Sequence, residues 1–146
     1  MRRLKYMGAP DMDLIDVYIK HIRSVLELAV PAWHGAITQA ERLTIERIQK
    51  SATNIIMGES YVSYKQSLRT LNLESLQARR DRLCLNFAKK SEKHVKFQKW
   101  FKPNTCTKET RLKKSKFHDV NAKHTRFSKS PLSSLTKLLN KYYSKK

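Results

Sequence analysis

Composition narrows both the fold and the cellular setting. The chain has 146 residues, with 31 lysines and arginines against 12 aspartates and glutamates, so its formal net charge is +19 and its pI is near 10.2. Only 3 glycines and 4 prolines leave little turn chemistry for a sandwich, a barrel or a Rossmann sheet. The 2 cysteines are too few for a disulfide-rich secreted scaffold, and no run of about 18 apolar residues is present to span a membrane. We therefore expect a helical protein of the nucleus or the cytoplasm, with no membrane segment.

Positive charge is concentrated in the second part of the chain. Residues 1–88 carry 13 basic and 9 acidic side chains, a net charge of +4, whereas residues 89–146 carry 18 and 3, a net charge of +15. The first part also holds most of the large aliphatic residues, and the second is rich in lysine, serine, threonine and asparagine. This division predicts a helical body over 1–102, a basic irregular segment over 103–129 and an amphipathic C-terminal helix over 130–146.

The first predicted helix begins at Asp11 and Asp13 and ends at Pro31. Aspartates at a helix start can accept hydrogen bonds from free backbone N–H groups, and proline cannot continue a helix. Apolar residues between these limits recur every three or four positions, which is typical of one buried helix face. That face consists of Leu14, Tyr18, Ile22, Val25, Leu26 and Ala29.

Three further helices complete the predicted body. Thr38 and Glu41 match a capping box, in which the hydroxyl and the carboxylate satisfy free backbone N–H groups, and Gly58 supplies a C-terminal stop. The third helix, over 62–71, has the inward positions Val62, Leu68 and Leu71, and the fourth has a face formed by Leu76, Arg80, Leu83, Cys84, Phe87 and Ala88.

Beyond this body the helical signals weaken. Phe97, Trp100 and Phe101 predict a short amphipathic turn, and Ser130 with Pro131 provides a cap and a first helical residue for the final helix. The stripe of that helix is Leu132, Leu135, Leu138, Leu139 and Tyr142. The predicted fold class is all-α: a small bundle of about four helices followed by an irregular basic extension and a short C-terminal helix.

Four ordered strings resemble the region that follows the polymerase core in reverse transcriptases of LINE-type (non-LTR) retrotransposons, near the jockey-like elements. The strings are Tyr18 to Glu27 with Pro31-Ala32-Trp33, then Glu46 to Ala52, then Leu71 to Leu76 with Arg79-Arg80 and Leu83-Cys84-Leu85, and finally Arg126 to Pro131 with Leu138-Leu139-Asn140. The sequence departs from the family pattern at Leu28, Asn54, Asn72 and Ala78. The resemblance covers almost the whole chain and implies a thumb-like helical body that grips a primer–template duplex by its backbone.

The catalytic centre of such polymerases is missing from this sequence. Phosphoryl transfer by such polymerases needs paired aspartates in a Tyr-x-Asp-Asp-like turn to hold two metal ions, and the sequence contains no Asp-Asp pair. Asp11, Asp13 and Asp16 lie close together, but at a helix start, where the helix dipole favours acidic side chains. We therefore expect a fragment that carries the thumb-like and C-terminal part without the catalytic palm. We predict neither enzymatic activity nor a cofactor.

The candidate binding residues form a long basic tract. Each lysine or arginine can neutralise a phosphate and release a counterion, which gives sequence-independent, salt-sensitive binding. Phe97 and Trp100 lie beside these charges and could pack or stack on bases. The alternative is a solubilising face or a nuclear localisation patch, for which 111–116 has the right composition. The tract consists of Lys89, Lys90, Lys93, Lys96, Lys99, Lys102, Arg111, Lys113, Lys114, Lys116, Lys123 and Arg126.

Other chemistry-bearing residues have simpler explanations. Trp33 is expected to pack in the core, His21 to lie at the surface, and Cys84 to face the core rather than to act as a nucleophile. The remaining metal-ligand types are too widely spaced for a zinc finger, so no metal site is predicted. Those residues, with Cys84, are His94, Cys106, His118 and His124.

Two functions of different classes follow. The first is a non-catalytic nucleic-acid-binding fragment that grips RNA or DNA backbone through the basic tract. The second is a protein-interaction or inert fragment, in which a surplus of apolar stripes, including the last helix, packs on a reverse transcriptase palm or on a second copy.

Overall fold

The structure, a computed structural model, describes residues 1–105, 115–118 and 125–144, with the side chains of 125 and 126 excepted. Within these residues the regular structure is helical and contains no β-strand, which confirms the all-α prediction. None of the described helices is both long and apolar enough to cross a membrane. In chain order the α-helices are α1 (Arg2–Tyr6), α2 (Asp11–Val17), α3 (Ser24–Leu26), α4 (Val30–Trp33), α5 (Gln39–Met57), α6 (Tyr64–Thr70), α7 (Leu76–Lys93), α8 (Thr125–Ser128) and α9 (Pro131–Tyr143).

The chain forms two compact units. The first unit consists of Met1–Ala29 and Ile37–Arg80, and the second of Val30–Ala36 and Asp81–Lys146. The boundary between Arg80 and Asp81 falls inside α7. The two units are defined by packing, whereas the three predicted segments were defined by the change in charge along the sequence. The three segments therefore stay a prediction.

The core of the first unit is built from α2, α5 and the segments beside them. Leu14 and Tyr18 pack with Ala52 and Ile56 of α5, and Leu73 joins them from the segment before α7. Leu14 and Tyr18 lie four positions apart, as do Ala52 and Ile56, so each pair occupies one helix face. The predicted inward face of the first helix is confirmed at Leu14 and Tyr18 and wrong at Val25, which is 69% exposed. Burial raises the pKa of the Tyr18 hydroxyl well above its usual range, because the charged phenolate would lose its hydration there.

Polar contacts in the first unit join the strings on which the family resemblance depends. Glu27 forms an ion pair with Arg79, and that contact raises the pKa of the Arg79 guanidinium. Gln49 Nε2 donates to the Glu74 carbonyl oxygen at 3.0 Å. Each contact links residues more than 20 positions apart in the sequence, so these positions hold the segments of this unit together.

The predicted first helix is interrupted in the structure. Pro10 occupies the N-cap of α2, so the prediction that Asp11 or Asp13 caps this helix is wrong; both lie in its first turn, where the helix dipole still favours them. A π-helical turn, Tyr18–Arg23, joins α2 to α3. The helix does not run to Pro31, because Ala29 adopts φ +50° and Pro31 lies inside the short helix α4.

Three predicted helix ends are confirmed. The Thr38 hydroxyl accepts from the Glu41 N–H while the Glu41 carboxylate accepts from the Thr38 N–H at 2.6 Å, which completes the capping box of α5. Gly58 ends that helix with φ +55°, a conformation that costs glycine little. Ser130 caps α9, with Pro131 as its first residue. In contrast, Val62 is not buried as predicted: it is 73% exposed, because α6 begins only after the Ser63 cap.

The core of the second unit contains part of the predicted inward faces of α7 and α9, whereas Phe87, predicted to face inward, is 37% exposed. Cys84 and Ala88 of α7 pack with Leu135 and Leu139 of α9, and Trp33 packs against this cluster, as predicted. Leu135 and Leu139 of the final helix are buried in its own unit and Leu138 packs against them, whereas Leu132 and Tyr142 of the predicted stripe lie outside this cluster. Most of the α9 stripe is therefore part of the core. It does not provide the surplus apolar surface on which the protein-interaction alternative partly depends.

Candidate nucleic-acid interface

Five lysines of the basic tract recur at every third position from the end of α7 onward. We call Lys90, Lys93, Lys96, Lys99 and Lys102 the lysine row. All five are exposed. Across the residues that the structure describes, none of them pairs with a carboxylate. They are therefore available to an external anion.

The lysine row crosses a change of helix type. The spacing of three suggests one continuous helix side, but α7 ends at Lys93 and a 3₁₀ turn follows over Val95–Trp100. A 3₁₀ helix has about three residues per turn, so side chains three positions apart lie directly above one another. Lys96 and Lys99 consequently point to the same side, and the repeat of three keeps its alignment better here than it would in an α-helix.

His94 begins the 3₁₀ turn. Its Nδ1 atom accepts a hydrogen bond from the Lys96 backbone N–H at 3.2 Å, as a capping side chain does. A protonated Nδ1 could not accept this bond, so the cap requires the tautomer with its proton on Nε2. The sequence offered no sign of this role, because histidine is not a usual capping residue.

Three aromatic side chains follow the lysines by one position. We call His94, Phe97 and Trp100 the aromatic row; their neighbouring ring centroids are 5.3 and 4.7 Å apart. The rings are tilted by 45° and 56°, which is a favourable arrangement for aromatic pairs. Trp100 is 41% exposed, and neither it nor Phe97 packs against the core cluster of the second unit.

The residues after the 3₁₀ turn fix it to the second unit. Phe101 is buried and packs on Phe117, with ring centroids 5.7 Å apart. The Asn104 N–H donates to the Lys116 carbonyl oxygen at 3.0 Å, and the His118 N–H donates to the Lys102 carbonyl oxygen at 2.9 Å. The predicted amphipathic turn is thus divided: Phe101 anchors the segment, while Phe97 and Trp100 are left outside the core.

Two lysines of the basic tract make contacts within the protein. Lys116 Nζ lies 2.7 Å from Glu92 Oε1 and 3.8 Å from the centroid of the Tyr143 ring. Lys89 Nζ lies 3.7 Å from the centroid of the Tyr142 ring. These ammonium groups take part in ion-pair and cation–π contacts, so they are less available to phosphate than the lysine row.

Glu92, Lys116 and Tyr143 form a cluster, and their contacts shift the pKa of each member. Burial alone would raise the pKa of Glu92, but hydrogen bonds from Lys116 and Tyr143 outweigh it and hold that pKa below its usual value. The same hydrogen bonds to the carboxylate raise the pKa of Lys116 and of Tyr143. Glu92 is therefore a carboxylate at neutral pH and balances the charge of Lys116.

Part of the predicted basic tract lies outside the described residues. Arg111, Lys113, Lys114 and Lys123 belong to it, as does the side chain of Arg126. The structure thus leaves Lys90 to Lys102 exposed and gives Lys89 and Lys116 contacts within the protein, a difference that the sequence could not show.

The described part of the chain contains no candidate metal site. No group of three or more histidine, cysteine, aspartate or glutamate side chains there could hold an ion. Asp11 pairs with Lys5 and Asp16 pairs with Lys20, each at 2.6 Å, which are ordinary surface ion pairs. Cys84 is a buried thiol of the core, as predicted.

Comparison with known proteins yields no relative. No protein-family model, no curated protein and no solved structure matches the chain. The function must therefore be inferred from the geometry of the lysine and aromatic rows themselves.

Proposed function

We propose that the chain is a non-catalytic nucleic-acid-binding protein whose second unit grips the backbone of RNA or DNA through the lysine row. The observation that supports this proposal is a run of five exposed lysines, one at every third position, without carboxylate partners among the described residues. Each ammonium can neutralise one phosphate and release a counterion, so binding is independent of base sequence and weakens with salt. The excess of basic residues over 89–146 strengthens the same attraction at longer range.

The origin that we propose is a reverse transcriptase of the non-LTR retrotransposon type, of which this chain resembles the thumb and post-thumb part. The contacts of Glu27 with Arg79 and of Gln49 with Glu74 support this origin, because they give the residues of three resemblance strings a common structural role. The absence of an Asp-Asp pair from the sequence supports a binding role rather than strand synthesis.

A binding titration tests the proposed function. The purified chain is titrated against a short RNA–DNA hybrid duplex at about 50 and 200 mM salt. We expect submicromolar binding at the lower concentration and a loss of orders of magnitude at the higher one, because several counterions are released together. The absence of binding at low salt would contradict the proposal.

Matched charge variants assign the binding to the lysine row. One triple variant changes Lys93, Lys96 and Lys99 to glutamine. The control variant makes the same change at Lys50, Lys65 and Arg69, which are exposed residues of the first unit. Both leave a net charge of +16, that is 19 − 3. We expect the first triple to lower the salt slope by about 2 to 3 and the control to leave it nearly unchanged. Equal effects would mean that total charge, rather than the row, governs binding.

A second candidate function is suggested by a groove on the first unit. This groove has a volume of about 610 Å³, and Ile22, Ile48 and Ile55 give it apolar walls. Its charged lining residues are Arg2 and Arg47, both cations. The chemistry suits a protein helix with an apolar stripe and acidic flanks, since a stripe fills the groove while the flanks pair with the arginines.

Two helical peptides test the second candidate. Both carry leucine at every third or fourth position, one with glutamate and the other with lysine at the flanking positions. Methyl NMR signals of Ile22, Ile48 and Ile55 should shift with the glutamate peptide only, and Ile48→Glu should abolish the shifts of Ile22 and Ile55. If neither peptide moves these signals, the groove is not such a docking site.

A further inference from the structure

The aromatic row is the part of the second unit that phosphate binding by itself does not explain. Trp100 is 41% exposed although the next residue, Phe101, is only 5% exposed and already anchors the segment to the core. Phe97 and Trp100 pack on each other and not on the core cluster. A large aromatic surface that adds nothing to the core and lies among unpaired lysines has the composition of a ligand-binding surface.

We propose that Phe97 and Trp100 form a base-stacking site, so that the chain binds single-stranded nucleic acid in preference to duplex. This inference rests on the proposed function, in which the lysine row holds the phosphates. The bases of a duplex are stacked on one another, whereas an unpaired base has a free face that an aromatic ring can cover. A surface that binds only the backbone would not need the exposed ring of Trp100 or the partly exposed ring of Phe97 beside it.

The register of the two rows places charge and ring side by side. Lys96 precedes Phe97 and Lys99 precedes Trp100, and the repeat of three holds through the 3₁₀ turn. One phosphate on the lysine side and one base on the aromatic side are therefore the complementary groups of a single nucleotide. The repeat along the turn is about 6 Å, three residues at about 2 Å each, so successive lysines can reach successive phosphates of an extended strand.

The lysines and the Trp100 ring of the proposed site take part in no cation–π contact among the described residues, unlike other lysines and rings of the second unit. Lys89 lies over the Tyr142 ring at 3.7 Å and Lys116 lies over the Tyr143 ring at 3.8 Å, so each of those rings already has a cation as its partner. Among the described residues no cation lies over the Trp100 ring. Its exposed part is left for a base.

A comparison of single-stranded and duplex ligands tests the inference. The probes are an oligouridylate of about 12 nucleotides, which does not pair with itself, and a duplex of the same length. Binding is followed by fluorescence anisotropy, and the contact with Trp100 by its intrinsic fluorescence in Trp33→Phe, since these are the 2 tryptophans of the chain. We expect the oligouridylate to bind more tightly than the duplex and to quench Trp100.

Variants separate stacking from charge. Trp100→Ala should weaken oligouridylate binding by about 5- to 150-fold and duplex binding by less than about 2-fold, whereas Trp100→Phe should keep most of the affinity. Phe127→Ala, which removes another exposed aromatic of the second unit, is the matched control and should change neither.

The outcomes distinguish the two proposals. Duplex binding as tight as that of oligouridylate, unchanged by Trp100→Ala, would overturn the stacking site and leave backbone binding intact. Failure of both probes to bind at low salt would overturn both proposals. Quenching of Trp100 that accompanies a selective loss in Trp100→Ala would establish the stacking site.

Discussion

Asn140 binds the backbone of Phe117 through both ends of its side-chain amide. The Phe117 N–H donates to Asn140 Oδ1 at 2.9 Å, and Asn140 Nδ2 donates to the Phe117 carbonyl oxygen at 3.0 Å. These two hydrogen bonds resemble those that a neighbouring β-strand would offer, although here one helix side chain supplies both the acceptor and the donor. Phe117 is thereby held in the core of the second unit, against Phe101 and Tyr143. The anchor of the 3₁₀ turn thus depends on a residue of the last helix.

Asn140→Ala should therefore destabilise the second unit. It leaves the part-buried N–H and carbonyl of Phe117 without these partners, and we expect a loss of about 1 to 3 kcal/mol in the free energy of unfolding. Denaturant unfolding followed by tryptophan fluorescence measures the loss. Asn54→Ala, an exposed asparagine of α5, is the control and should change the free energy by less than about 0.5 kcal/mol. Equal values for both variants would contradict the role of Asn140.

Local signals in the sequence predicted much of the fold. The capping box at Thr38, the stop at Gly58 and the cap at Ser130 depend on residues only a few positions away, and all three are confirmed. The apolar period likewise identified the buried positions Cys84, Ala88, Leu135 and Leu139, but it was wrong at Phe87, which is 37% exposed. The interruption between Val17 and Ala29 was not predictable, because a π-helical turn and a positive φ at alanine go against local preference and require tertiary packing.

The candidate site was predictable as a composition but not as a geometry. The spacing of the lysine row is visible in the sequence, whereas the change to a 3₁₀ turn after Lys93 is not. The pairing of Lys116 with Glu92 joins residues 24 positions apart, so no local pattern could separate this lysine from the others. The exposure of Trp100 also depends on Phe101 taking the inward position.

Gly35 allows a close approach to the last helix. A Cβ atom at this position would clash with Ser134 Oγ and lie 2.8 Å from Ser134 Cβ, closer than a Cβ atom can approach, and its 3.1 Å distance to the Lys129 carbonyl oxygen would also be tight. Gly35→Ala should therefore lower the free energy of unfolding by about 1 to 3 kcal/mol, as overpacking does. Denaturant unfolding measures the change. The double variant Gly35→Ala with Ser134→Gly should recover part of the loss, and no recovery would show that Ser134 is not the limiting contact.

The Glu92 cluster should make stability depend on pH in the acid range. The folded pKa of Glu92 lies below its ordinary value of 4.5, so the ionised carboxylate stabilises the folded chain above that pH. The contribution is lost as the pH falls through the folded pKa. Thermal unfolding of the wild type and of Glu92→Gln should therefore differ most near neutral pH and converge in acid, below pH 4.5. A difference that is constant with pH would mean that the charge of Glu92 does not stabilise the cluster.

Glu46 joins α5 to two other helices of the first unit. Its Oε1 accepts from the Tyr64 hydroxyl at 2.6 Å, and its Oε2 accepts from the Gln77 backbone N–H at 3.2 Å, in the first turn of α7. Burial and the bond to Glu46 both raise the pKa of Tyr64, so the phenol remains a donor at neutral pH. One carboxylate thus accepts from a side-chain hydroxyl and from a backbone N–H in the first turn of a helix.

Glu46→Ala should consequently cost more than a simple surface change, about 1 to 3 kcal/mol in the free energy of unfolding, because both donors lose their acceptor. Glu59→Ala, which removes an exposed glutamate of the same unit, is the control. A double-mutant cycle with Tyr64→Phe isolates the hydroxyl contact and should give a coupling energy of about 0.5 to 3 kcal/mol. Zero coupling, together with equal losses for Glu46→Ala and Glu59→Ala, would mean that α5 is held to its neighbours by apolar packing alone.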